Sequence, residues 1–219
     1  GGDLYTHDIE IDGTFTQDGN YVEVSGSWDN DSNYSATGPV IFTATSGSEG
    51  IDSTGATTAT FGNIVFGQGS SSAVWPMYSN LAVAEDLTID FGTLNSNNYD
   101  LEIGGSFFNN SVFDATDRIV TFNGSGDSFV ESGCVTVAGC TAGDFFDLIV
   151  DKDTSGAKLY VSNMGIRVTN TLTITMGTLF QDSYEVRAEG ASAVSIAADG
   201  IWSSITTGDL VLGGTFANA

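Results

Sequence analysis

Apolar and polar residues alternate along this chain in short bursts, never in long runs. Ile9-Glu10-Ile11, Val22-Glu23-Val24, Leu87-Thr88-Ile89, Leu101-Glu102-Ile103, Leu172-Thr173-Ile174 and Leu210-Val211-Leu212 each place two apolar side chains two positions apart. A period of two puts them on one side of a strand and the middle residue on the other. Gly, Ser or Thr follows each burst, and then a large apolar residue: Phe15, Trp28, Leu94, Phe107, Leu179 and Phe216. The pattern predicts strand, corner, strand. No segment sustains a 3.6-residue period, so almost no helix is expected.

The bursts recur at set spacings. Thirteen residues separate Gly13 from Gly26, Gly92 from Gly105 and Gly177 from Gly190, while 79 separate Gly13 from Gly92 and 85 separate Gly92 from Gly177. Tyr21, Tyr99 and Tyr184 fall at matching points. The sequence therefore reads as a single solenoid over 1–219 with degenerate repeats of about 80 residues at 7–85, 86–170 and a partial 171–219. Gly13, Gly26, Gly92, Gly105, Gly177 and Gly214 are the expected corner glycines, with positive φ as their expected use. A three-residue strand cannot bury its apolar side alone, but copies stacked along an axis can. A right-handed parallel β-helix with coils of roughly 20 residues fits this best. A string of immunoglobulin-like sandwiches is the other all-β arrangement, and it gives no reason for one motif to recur every 13 residues.

Composition narrows the partners. Asp and Glu number 28 against five Lys and Arg, a net charge of −23 over 219 residues. Five cations neutralise few phosphates, so nucleic acid is excluded as a partner, and anionic lipid surfaces repel such a chain. No apolar run is long enough to span a membrane. The opening Gly1-Gly2-Asp3-Leu4-Tyr5 has no signal-peptide character, which suggests a removed signal or a segment of something longer. Cys134 and Cys140, six positions apart in a Gly-rich stretch, read as a local disulfide, with two free thiols as the other reading. A disulfide implies an oxidising compartment. With His7 as the single histidine, a zinc site is not expected.

The run from Leu87 to Gly126 carries Gly-Thr-Leu, then Tyr-Asp-Leu-Glu-Ile-Gly-Gly-Ser-Phe-Phe-Asn, then Ile-Val-Thr-Phe-Asn-Gly-Ser-Gly, and Phe145-Phe146-Asp147-Leu148-Ile149-Val150 follows. It resembles repeats of large secreted and cell-surface proteins of bacteria. The section from Ala191 to Thr207 departs from that pattern. The resemblance implies a β-helical stalk, adhesin or filament block at the cell surface. The sequence starts and stops in mid-pattern, so either end-to-end self-association into a fibre or a place within a longer repeat array is expected.

Candidate chemistry is sparse. Asn30, Asn109 and Asn218 share one place after the corner and are expected to satisfy turn backbone or neighbouring coils. Asn30, Asn33, Asn109 and Asn123 also begin Asn-x-Ser sequons, which makes them candidate glycosylation sites. Asp29-Asn30-Asp31 opens like a calcium loop, but Tyr34 and Val40 stand where that loop needs Gly and Glu. Asp29 and Asp31 are thus weak candidates for calcium, and no other cofactor is expected. Asp144, Asp147, Asp151 and Asp153 form a second acidic stretch, read first as a solvated face. Trp28, Phe107 and Phe216 are expected in the core. Trp75, Tyr78 and Trp202 fill core or anchor loops, or else present a platform to glycans. No nucleophile elbow, phosphate loop or paired acid–histidine motif marks an enzyme. The alternative to a structural protein is a carbohydrate-binding or polysaccharide-cleaving β-helix.

Overall fold

The computed structural model describes residues 2–54, 60–132, 145–191, 194–204 and 208–218. Among them it is all β: strands pair in parallel and stack into a β-solenoid of about nine turns, with no helix. Cys134, Cys140 and Asp144 lie outside the described residues.

Each coil is a triangle whose three sides are strands. The first side ascends through β1 (Leu4–Thr6), β4 (Val22–Val24), β7 (Val40–Phe42), β10 (Ile64–Phe66), β13 (Leu87–Ile89), β16 (Phe107–Asn109), β19 (Ser128–Glu131) and β21 (Lys158–Val161). It ends on the last residues of β22 (Ile166–Phe180) and of β24 (Val194–Ser203). The second side holds β2 (Ile9–Ile11), β5 (Trp28–Asn30) and β8 (Ile51–Asp52), then β11 (Val74–Pro76), β14 (Thr93–Asn95) and β17 (Val112–Asp114). It resumes with the start of β22, β23 (Val186–Ala188) and β25 (Leu210–Leu212). The third side holds β3 (Phe15–Gln17), β6 (Tyr34–Ala36), β9 (Thr60–Phe61), β12 (Leu81–Val83), β15 (Leu101–Ile103), β18 (Ile119–Phe122) and β20 (Phe145–Asp151), whose first residue, Phe145, pairs instead with Val168 of the second side. The middle of β22, the start of β24 and β26 (Phe216–Asn218) complete it.

The stacking period is one coil. Leu4 pairs with Val22, 18 residues on, and the longest step runs from Val130 to Val161. Thirteen residues is therefore two corners of a triangle. Gly13 lies between the second and third sides, Gly92 between the first and second, and Gly177 between the third and first. The longer spacing thus relates corners of like sequence that do not sit above one another.

Most strands turn their end residues inward, as with Leu87 and Ile89, both fully buried. The middle residue turns inward in β11, β14 and β17, which bury Trp75, Leu94 and Phe113. Rings then stack up the axis: Phe42 lies 4.9 Å from Phe66, nearly parallel, and Trp28 packs against Tyr34, Phe42 and Phe61. Trp28 and Phe107 are core residues, as their motif implies, and Trp75, which lies outside the motif, fills the core as well. Phe216 is not; it is 48% exposed, in the last described coil.

The corner glycines serve two ends. Only Gly92 (φ 79°) and Gly177 (φ 87°) among the six use the left-handed region. Gly26, Gly105 and Gly214 are there for closeness. A Cβ on Gly26 would meet Asp8 Oδ1 at 2.2 Å, one on Gly105 would meet Asp86 Oδ1 at 2.4 Å, and one on Gly214 would meet the Gly190 carbonyl at 2.1 Å.

Candidate functional site

Acidic residues at the corners tie coils together. Asp8 Oδ1 accepts the Ser27 N–H at 2.8 Å and Asp86 Oδ1 that of Ser106 at 2.7 Å, each beneath a glycine that lets the carboxylate through. Asp100, Asp127 and Asp147 accept backbone N–H groups of Ile119, Lys158 and Thr171 in the coil above. Asn63 and Asn80 do the same for Asp86 and Asp100. The Ser27 N–H, more than the neighbouring His7, holds the Asp8 carboxyl below the ordinary carboxylate range. Part of the acidity is thus coil-to-coil bonding.

The asparagines after the corners work within their own turn. Asn30 Oδ1 accepts the Ser32 N–H and Asn109 Oδ1 the Ser111 N–H, both at 3.1 Å. Both side chains are buried, at 0% and 2% exposure, so a folded chain offers neither sequon to a glycosylating enzyme. Asn33 is exposed and Asn123 half-buried, with its amide donating to Glu102. The Asn218 side chain is outside those described.

Asp29 stands outward in register between Glu10 and Asp52. Partial burial, then the nearby Asp31, Asp52 and Asp12, raise its carboxyl above the usual value. Asp31 accepts from the Thr54 hydroxyl at 3.5 Å. Among the described residues no three His, Cys, Asp or Glu side chains gather as metal ligands. Asp147 is spent on Asn170 and Thr171.

All five cations are engaged. Arg118 pairs with Asp100 at 2.8 Å. Arg167 reaches Glu189 through both Nε and an η-nitrogen, and Arg187, one coil above, joins Glu185 and Glu189. Lys158 sits 5.4–5.7 Å from the rings of Phe180 and Tyr160, which continue an outward ladder from Phe129. Lys152 is 1% exposed, its Nζ donating to Ser128 Oγ at 3.1 Å. His7 forms an exposed pair with Asp8.

Sequence reasoning missed two buried glutamines. Gln17 Nε2 donates to the carbonyls of Asn20 and Pro39 while Tyr34 donates to its Oε1. Gln181 Nε2 donates to Tyr184 and Asp209 carbonyls, and Trp202 Nε1 donates to Gln181 Oε1 at 3.1 Å. Trp202 is therefore anchored; Tyr78, by contrast, is 48% exposed and packs over Gly50. The signal was the Gln-Asp pair preceding two of the three matched tyrosines.

The ends differ from everything between. In the first coil Leu4 is 41% exposed, and Leu4, Ile9, Ile11 and Phe15 line an open hollow of about 400 Å³. In the last coil Leu210, Leu212 and Phe216 are 43%, 37% and 48% exposed. These three register on Val186, Ala188 and Val194, all buried, so they point inward from the last described coil. Among the described residues no helix is long and apolar enough to cross a membrane. Neither family profiles, nor curated proteins, nor solved structures yield a match to this chain.

Proposed function

We propose that this protein is a structural building block of an extracellular filament, stalk or adhesin, extended by stacking coil upon coil, and not an enzyme. The observation that carries the reading is the solenoid itself: about nine parallel coils share one apolar core and are joined from coil to coil by corner carboxylates. The engagement of all five cations supports the non-catalytic part, since a β-helical lyase needs a basic group beside its substrate.

Sedimentation velocity over a concentration series tests it. Species that grow with concentration are expected. A chain that stays monomeric throughout, with its ends open, would overturn the reading.

A further inference from the structure

Among the described residues, two phenol rings meet at one place. Tyr5, the middle residue of β1, and Tyr21, just before β4, lie on neighbouring coils with ring centroids 5.6 Å apart and planes at 85°. Their hydroxyls share a hydrogen bond. Tyr5 is 61% exposed and Tyr21 half-buried, so a small oxidant reaches both. We infer that this pair is a site of oxidative cross-linking, at which a peroxide-driven one-electron oxidant joins the two rings by a carbon–carbon bond.

The step balances without any other group of the chain. Each phenol gives up one electron and its hydroxyl proton, leaving two phenoxyl radicals with unpaired spin on the ring carbons beside the oxygen. One such carbon of Tyr5 bonds to one of Tyr21. The hydrogen on each joined carbon then moves to its own oxygen, and both phenols are restored. The peroxide is reduced: hydrogen peroxide takes up the two electrons and two protons and becomes two waters, and persulfate takes up the two electrons and becomes two sulfates. Hydroxyl held against hydroxyl brings the neighbouring carbons together, so coupling is a reaction within one molecule. The hydrogen bond to Tyr5, before any other cause, pushes the Tyr21 phenol up to about 12. Tyr21 is therefore protonated at neutral pH and reacts by losing a hydrogen atom.

The other five tyrosines lack this arrangement. Tyr34 is buried against Trp28 with its hydroxyl on Gln17, and Tyr160 lies between Phe129 and Phe180. Tyr99 and Tyr184 pack on the core, and exposed Tyr78 lies over Gly50. The bond spans 16 positions, from β1 past β2 and β3, and closes one whole coil into a covalent ring that thiol reductants do not open. It needs no second copy, so it stands whether or not chains associate.

The test is photo-oxidation of the dilute full chain with a ruthenium tris-bipyridyl complex and persulfate. Dityrosine is read by its blue fluorescence and by the mass of the linked peptide. The single chain should lose two hydrogens and join Tyr5 to Tyr21, in a yield that dilution leaves unchanged. Tyr5→Phe and Tyr21→Phe should each lower that yield about tenfold, as should unfolding in denaturant before oxidation, whereas Tyr78→Phe should leave it unchanged. No product within the chain, a bond from Tyr5 or Tyr21 to some other residue, or an equal yield from the denatured chain overturns the site.

Discussion

Lys152 is a buried amine that donates, among the described residues, to a neutral hydroxyl, Ser128 Oγ. Burial pushes its ammonium below the ordinary lysine range, against the pull of Asp127 and Asp153. The unfolded chain then holds this proton more tightly than the folded one. Stability accordingly rises with pH between the lowered folded value and the ordinary lysine value, and the cost is fully present below that window. Lys152→Met should remove the slope and raise the melting temperature at neutral pH by about 2–4 °C, taking roughly 1 kcal/mol for the relieved charge. Melting curves of both chains across alkaline pH check it; an unchanged slope would contradict it. Sequence reading did not single out this residue for burial, because a lysine beside Asp151 and Asp153 looks solvated. Only the triangle shows that its stem runs under Gly177, whose added Cβ would strike Lys152 Cγ at 2.7 Å.

At the scale of strands and corners, each coil is bonded to the next by side chains that accept backbone N–H groups. Asp86→Ala should cost about 1–2 kcal/mol by orphaning the Ser106 N–H, and Asp86→Asn, which keeps an acceptor, should recover most of it. Chemical denaturation of the three chains measures this. Gln17→Leu leaves the Asn20 and Pro39 carbonyls without their shared donor and should cost about 1–3 kcal/mol. The strands were legible in the sequence, because alternation with a period of two marks buried ends and an exposed middle. The coil was harder to read. One strand–corner motif occupies all three corners, so Gly13, Gly92 and Gly177 look equivalent while standing at different vertices. Loops also stretch the step from 18 residues to 31, which hides the vertical register. For Gly26, Gly105 and Gly214 the reason for glycine is a neighbouring coil, which no local pattern contains.

For the whole molecule, a net charge of −23 opposes any association of like copies. Assembly should therefore strengthen as salt rises from 0.01 M to 0.15 M, where the screening length shrinks from about 30 Å to about 8 Å. Light scattering against ionic strength reads this, and association that weakens with salt would point to ion pairs as the glue. Acid acts on the fold itself. Asp8, bonded to the Ser27 N–H, and Glu189, bonded to Arg167, both titrate below their ordinary values. Their contribution is present above the unfolded carboxylate value near pH 4 and is lost as pH falls through the lower folded values. The stacking of coils was legible in outline from the repeated motif, but the sequence alone could not show that Leu210, Leu212 and Phe216 stand in register on Val186, Ala188 and Val194. Electron microscopy with fibre diffraction of the concentrated chain is the most direct test. The account predicts filaments one molecule wide, a meridional spacing of about 4.8 Å from strands lying across the axis, and a repeat of roughly 43 Å per copy of about nine coils. Isolated rods, or fibres whose strands run along the axis, would contradict it.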